Sequence, residues 1–204
     1  MGNVVVVQAG DPRRERLERE GWSVSARSFG AQLDAERLDV GRLTALVSAI
    51  DPALVFRPLG AHDVDAVLAL DRLTADDYPG SVATRHEQMG RDAATPTAGR
   101  RASGAFAADG SLVAMTHVEV DRADAETDFT VVHPMHRGRG IGTALKAWSV
   151  LAFQRKGVRR FRTGGSAENV AIQRANAVLG YVQDEEWVTL APPDSAEAAT
   201  SAPR

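Results

Sequence analysis

Residues 131–148, "VVHPMHRGRGIGTALKAW", join an apolar run to a helical pattern through a proline and a turn holding Gly138, Gly140 and Gly142. Few segments restrict a fold so tightly. Pro134 cannot donate to a sheet ladder, so the strand before it must stop. The glycines open backbone conformations that other residues avoid. Ile141, Leu145, Trp148 and Ala152 then recur on one helical face until Gly157 ends the pattern. A strand that passes into a helix this abruptly calls for a sheet with helices packed on it.

The surrounding pattern extends that reading. Strands are expected at "LVFRPL" from Leu54, "SGAFAAD" from Ser103, "SLVAMTHVEV" from Ser111, "ETDFTVVHP" from Glu126, "VRRFRT" from Val158 and "EEWVTLAP" from Glu185. Asp109-Gly110 marks a hairpin between the second and third of these. Helices are expected from Ala61, over Arg85–Asp92, and over "SAENVAIQRANAVLGY", the last capped by Ser166 and ended by Gly180. Ile172, Ala175 and Leu179 mark its inner face. The order describes an α+β fold, a mixed and mostly antiparallel sheet flanked by helices.

Before Leu54, "NVVVVQAG", "PRRERLEREG" and "WSVSARSFGAQL" read as strand, helix, strand, with "AERLDVGRLTALVSAI" as a connecting helix. Gly21-Trp22 closes the first helix much as Gly180-Tyr181 closes the last. Three regions are therefore expected: an N-terminal strand-helix-strand extension over 1–52 that partly duplicates the C-terminal unit, a main domain over 53–191, and a small, polar, Pro-containing tail over 192–204.

Composition narrows the function. In 204 residues with 44% apolar and 25% charged side chains, the balance is that of a soluble globular protein. The formal net charge of -3 gives no global pull toward nucleic acid. With no cysteine there is no disulfide, thiolate nucleophile or Cys-ligated zinc, and the five histidines show no metal-ligand spacing. The run after Met1-Gly2 has no basic residues ahead of it and meets polar residues too soon for a signal peptide or membrane span. No metal, nucleic acid or membrane is expected, and a cytoplasmic location is.

Physically, the glycine turn is an anion site. Glycines let backbone N–H groups converge on a ligand, and the helix that starts there adds its partial positive charge. From Phe129 to Ala167 there is no Asp or Glu, whereas eight Arg and Lys side chains fall inside, Arg137, Arg139, Lys146 and Arg162 among them. A Walker loop would need lysine before Thr143, and a dinucleotide fingerprint would need a small residue there and an acid some 20 residues on; neither is present.

Arg137, Gly138, Arg139, Gly140, Ile141 and Gly142, after Val132-His133-Pro134, match the Gln/Arg-x-x-Gly-x-Gly/Ala signature of the GNAT superfamily of acyl-CoA-dependent N-acetyltransferases. "ENVAIQRANAVLGY" resembles that family's fourth helix with its Leu-Gly-aromatic end, so the resemblance covers roughly Leu54 to Pro192. It implies a GNAT-like sheet and acetyl-CoA as cosubstrate. The backbone of Gly138 to Thr143 would hold the coenzyme A pyrophosphate. The strand at Val131 and Val132 would bulge and pair with the pantetheine arm, which Asn169 would also touch. Strand pairing into dimers is frequent in the family, which admits a homodimer.

Amine acetylation needs a neutral amine, a polarised carbonyl and a proton for the departing thiolate. Period two places Glu126, Asp128, Thr130 and Val132 on one strand face. Glu126 stands where the family commonly has its general base and is the first candidate; Asp128 and Glu119, the latter sharing a face with His117, are reserves. Many relatives carry a tyrosine acid where this chain has Asn176, which is expected to hydrogen-bond the cofactor instead while water protonates the thiolate. In "LDRLTADDYPG", Asp71, Asp76, Asp77 and Tyr78 offer a binding surface for a cationic amine. The expected activity is direct acetyl transfer to a primary amine of a small molecule or protein. The alternatives are a CoA-binding or regulatory module without catalysis and a phosphate-binding enzyme unrelated to CoA.

Overall fold

The computed structural model describes residues 4–77, 84 and 86–193. Among these residues eight strands form one sheet: β1 (Val5–Gln8), β2 (Ser23–Asp34), β3 (Val55–Pro58), β4 (Arg100–Phe106), β5 (Leu112–Asp121), β6 (Asp124–Val132), β7 (Arg160–Ser166) and β8 (Val182–Ala191). Six α-helices accompany them among the described residues: α1 (Pro12–Arg19), α2 (Val40–Ser48), α3 (Val64–Thr74), α4 (Arg91–Ala94), α5 (Ile141–Gln154) and α6 (Val170–Leu179). The strand order is β1-β8-β2-β7-β6-β5-β4-β3, and every neighbouring pair is antiparallel except β6 and β7. The mixed, mostly antiparallel sheet expected from the sequence is therefore the fold.

Local chemistry sets the ends of the elements. Asp11 caps α1 by accepting from the Arg13 N–H at 2.8 Å, with Pro12 at the first helical position, where its missing N–H costs nothing. Asp39 caps α2 through the Arg42 N–H at 2.9 Å. Asp63, buried below α3, takes both prongs of Arg57 at 2.7 and 2.8 Å and the Gly60 N–H at 2.8 Å, tying β3 to α3. Asp109 accepts from the Ser111 N–H in the expected hairpin turn.

Two expectations fail at this level. The helix over Arg85–Asp92 is not there: Arg85 lies outside the described residues, 86–90 are irregular, and only α4 follows. The cap of α6 is Asn169, whose Oδ1 accepts from the Ile172 N–H at 3.1 Å; Ser166 instead accepts from Glu168 within the preceding turn.

The core lies on both faces of the sheet. On one, Ala147, Val150, Leu151 and Phe153 of α5 and Leu43 of α2 pack over Leu33, Val118, Ala125 and Phe161, while Ile141 and Leu145 pack with Val113 and Ala114. On the other, Val64, Val67 and Leu70 of α3 cover Met115, Phe129 and Val131. The N-terminal strands belong to the same sheet. β2 lies between β8 and β7 and contributes Phe29, Ala31 and Leu33 to the larger core cluster, so residue 52 divides neither the sheet nor the core. The units β1–α1–β2 and β7–α6–β8 interleave, each placing one strand between the two of the other. Both helices end in a glycine with positive φ followed by a buried or half-buried aromatic, Gly21-Trp22 and Gly180-Tyr181. Residues 194–204, most of the expected tail, lie outside the described residues.

Candidate functional site

The site begins where β6 and β7 part. Their parallel ladder holds only from Asp124↔Arg160 to Thr127↔Thr163. Beyond it β6 runs on to Val132, while Gly164 to Ser166 stay with β2. Beyond Thr127 the β6 backbone has therefore left its ladder with β7. A cleft of about 1310 Å³ opens there and reaches the glycine turn.

A bulge shapes the β6 wall. Thr127 pairs with Val118 and Phe129 with His117, which leaves Asp128 as the extra residue. The expected bulge at Val131 and Val132 is therefore displaced toward the start of the strand, and those two pair regularly with Met115 and Ala114. Because directly opposed residues share a face, the bulge also cancels the period-two reading. Glu126, opposite Glu119, lies on the face of Phe129 and Val131, away from Thr130 and Val132.

The turn forms the other end. Gly138 and Gly140 adopt φ of +73° and +76°, the left-handed region, and a Cβ on Gly138 would meet nothing within 4 Å. Gly142 serves packing instead, since its Cβ would stand 3.1 Å from Val132 Cγ2, and its absence lets α5 close onto β6. No side chain caps α5 at Gly140. Its first N–H groups, at the positive end of the helix, therefore face the cleft mouth without a side-chain acceptor, an arrangement that suits a phosphate approaching the backbone closely.

Glu119, Glu126, Asp128, Val131, Val132, Arg137, Gly138, Gly140, Ile141, Gly142, Thr143, Asn169 and Asp77 line the cleft; Arg139, Asn176 and Asp76 do not. Tyr78 lies outside the described residues. Arg137 bridges the mouth, donating from Nε to the Val132 carbonyl at 3.0 Å and from its outer nitrogen to Asp77. Arg160 pairs with Asp124, and Arg162 with Asp184 and Glu185, so the basic field counted along the sequence is partly neutralised by acids from elsewhere in the chain. Asp128 opens to the cleft at the bulge, where partial desolvation, with Glu119 adding to it, raises its pKa.

Asp71 is not a substrate contact. It is buried, accepting from the Met89 N–H at 2.8 Å and lying 2.6 Å from His86 Nε2. The His86 and His117 rings both lie against Phe129, at 4.5 and 4.6 Å between centroids, and line the cleft. Burial drives the His117 imidazole down to about 4, which keeps it neutral. Sequence reasoning put His117 on the strand face of Glu119 but gave neither histidine a role, because nothing in their local pattern announces a shared aromatic neighbour.

It also misplaced Lys146. This residue is 2% exposed, on the inner side of α5, and its Nζ donates to Asn176 Oδ1 at 2.9 Å and Thr163 Oγ1 at 3.1 Å. Burial lowers its pKa to about 7. Its position directly after Leu145 on the core face of a helix was the available signal. Among the described residues no cluster of three His, Asp or Glu could hold a metal, and no helix is long and apolar enough to cross a membrane.

The acetyltransferase (GNAT) family profile matches residues 67–181, from α3 through the end of α6. Solved structures with this fold include a GCN5-related N-acetyltransferase from Sphaerobacter thermophilus, 16% identical over 93% of this chain and 59% of that one at a TM-score of 0.67. Another from Kribbella flavida is 17% identical over 94% and 68%, at 0.65. A tandem GNAT protein from the clavulanic acid biosynthesis pathway is 24% identical over 92% and 62%, also at 0.65. This chain thus spans about three fifths to two thirds of the length of these relatives. No curated protein matches it. With its glycine turn, parted parallel strands and a profile match over more than half its length, the chain belongs to the GNAT family of acyltransferases, whose general reaction is acetyl-CoA-dependent N-acetylation.

Proposed function

We propose that this protein moves an acetyl group from acetyl-CoA directly to a primary amine of a small molecule or protein. The observation that carries the reading is the cleft where β6 and β7 separate, with an uncapped helix N-terminus and an open glycine turn at its mouth. Acetyl-CoA, when bound, supplies the activated acetyl thioester. The backbone N–H groups from Gly138 to Thr143 would hold its diphosphate, with Arg137 and Arg139 offsetting charge. The β6 backbone at Val131 and Val132, beyond the end of the ladder with β7, would pair with the pantetheine arm, and Asn169, whose side chain caps α6 at the cleft wall, would meet the same arm.

The acceptor amine must lose a proton as it attacks. Glu126, Asp128 and Glu119 all line the cleft beside the bulge, Glu126 and Glu119 directly opposite each other. Glu126 remains the first candidate for the base. Asp128 is the second, because its raised pKa brings it nearer to the working range of a base. These three carboxyl groups make an acidic wall that favours a cationic amine, while Asp77 is paired with Arg137.

Thiol release from acetyl-CoA across a panel of amines tests the reading. The native chain is expected to turn over at least one amine, and Glu126→Gln to lower kcat roughly 10²–10⁴-fold with little change in KM for acetyl-CoA. Should Asp128→Asn show that loss instead, the base is reassigned to the bulge. Tight CoA binding with no turnover on any amine would make this a CoA-binding module.

A further inference from the structure

Lys146 is a cost that the fold alone does not explain. A buried ammonium without a carboxylate partner is disfavoured by several kcal/mol, and an apolar side chain would pack the core face of α5 more cheaply. Its two hydrogen-bond acceptors, Thr163 Oγ1 and Asn176 Oδ1, are neutral, and burial is the cause of its lowered pKa. An ammonium has three donors, and the third has no acceptor among the described residues.

Its place is specific. Thr163 is the last residue at which β7 still pairs with β6, so the ammonium sits at the apex of the wedge, and Lys146 lines the cleft that opens from it. Along α5, Lys146 follows the helix start at Ile141 by five residues, roughly 8 Å of axial rise. One helix therefore carries an anion cradle at its start and a cation at the wedge apex. The titratable group facing Lys146 is Tyr181, its ring centroid 5.4 Å from Nζ; burial pushes that hydroxyl's pKa up, so it stays neutral. Asn176 can accept from the lysine but cannot supply a proton as an acid would.

We propose that Lys146 is the acid of the reaction, pairing with the departing sulfur and protonating it. This rests on the acetyl-CoA reading above. The amine nitrogen bonds to the carbonyl carbon, the carbon–sulfur bond breaks, and its electron pair leaves on sulfur. Nζ gives that sulfur a proton, which yields the coenzyme A thiol and a neutral lysine, while the proton of the amine goes to the carboxylate base. Water in the cleft reprotonates Nζ after the products leave. A lysine with a pKa near 7 exchanges protons readily at neutral pH.

Calorimetry with coenzyme A and with desulfo-coenzyme A, on the native chain, Lys146→Met and Tyr181→Phe, separates the possibilities. The native chain is expected to prefer the thiol form about tenfold near neutral pH, through the hydrogen bond between Nζ and the sulfur, and kcat to fall as pH rises well above 7 and the ammonium is lost. Lys146→Met should abolish that preference and the alkaline fall in kcat while leaving desulfo-coenzyme A affinity intact, and lower kcat roughly 10²-fold at unchanged KM. Tyr181→Phe should change neither. Binding of both ligands with no sulfur preference in the native chain overturns the role of Lys146 and leaves the acetyltransferase reading standing. So does a preference that survives Lys146→Met. The native-chain comparison decides the matter even if the variant fails to fold. Failure of the native chain to bind either ligand overturns both.

Discussion

At the scale of single residues, burial shifts the protonation of two groups in the site, His117 and Lys146. His117 is buried, with no partner for Nε2 among the described residues, packed on Phe129, and burial lowers its imidazole to about 4 against 6.5 in an unfolded chain. Between those values the unfolded state binds a proton that the folded state refuses. Stability is therefore complete above about 6.5 and falls as pH drops toward 4, by roughly 3 kcal/mol from this residue. His117→Phe, which keeps a ring against Phe129, should flatten that acid limb in denaturant titrations at a series of pH values. An unchanged slope would mean that His117 is not buried neutral. Neither this histidine nor Lys146 was legible as special, because the sequence marks residue type but not which face a bulge or helix turns inward. Lys146 counted along the chain as one more surface cation; in the fold it is buried in the core.

At the scale of elements, most of the architecture was readable, since hydrophobic period and turn chemistry are local. The strand that ends before Pro134, the Asp109-Gly110 hairpin, the glycine turn and the helix behind it all stand where those signals put them. One inserted residue defeated the most consequential local inference. Alternation along 126–132 holds only while pairing is regular, and the extra Asp128 exchanges the faces of every residue from Phe129 to Val132. Capping was misassigned for a related reason: Ser166 and Asn169 both precede the helical run, and only three-dimensional geometry decides which one meets a first-turn N–H. Asn169→Ala should cost about 1 kcal/mol of stability in thermal or chemical unfolding, and Asn169→Asp, which keeps an acceptor, much less. Equal losses would show that the cap is not what Asn169 contributes to the fold.

At the scale of the whole molecule, the sheet is closed up by strands far apart in sequence. β2 lies between β7 and β8, so the first residues of the chain complete the wall behind the wedge, a placement that no local pattern could announce. The same long-range pairing brings Asp184 and Glu185 to Arg162 and shrinks the basic field that the sequence displayed. A positive feature that does not depend on those side chains is the backbone itself, at the start of α5 and the turn before it. Calorimetric titration of coenzyme A into the native chain and into Gly138→Leu tests that most directly, because a side chain at Gly138 enters open space without displacing core atoms. The left-handed backbone there adds strain of roughly 1–2 kcal/mol, which thermal unfolding would register separately. Saturable binding by the native chain, weakened tenfold or more in the variant, is the expected result. No heat with the native protein, or equal affinity in the two, would contradict the account.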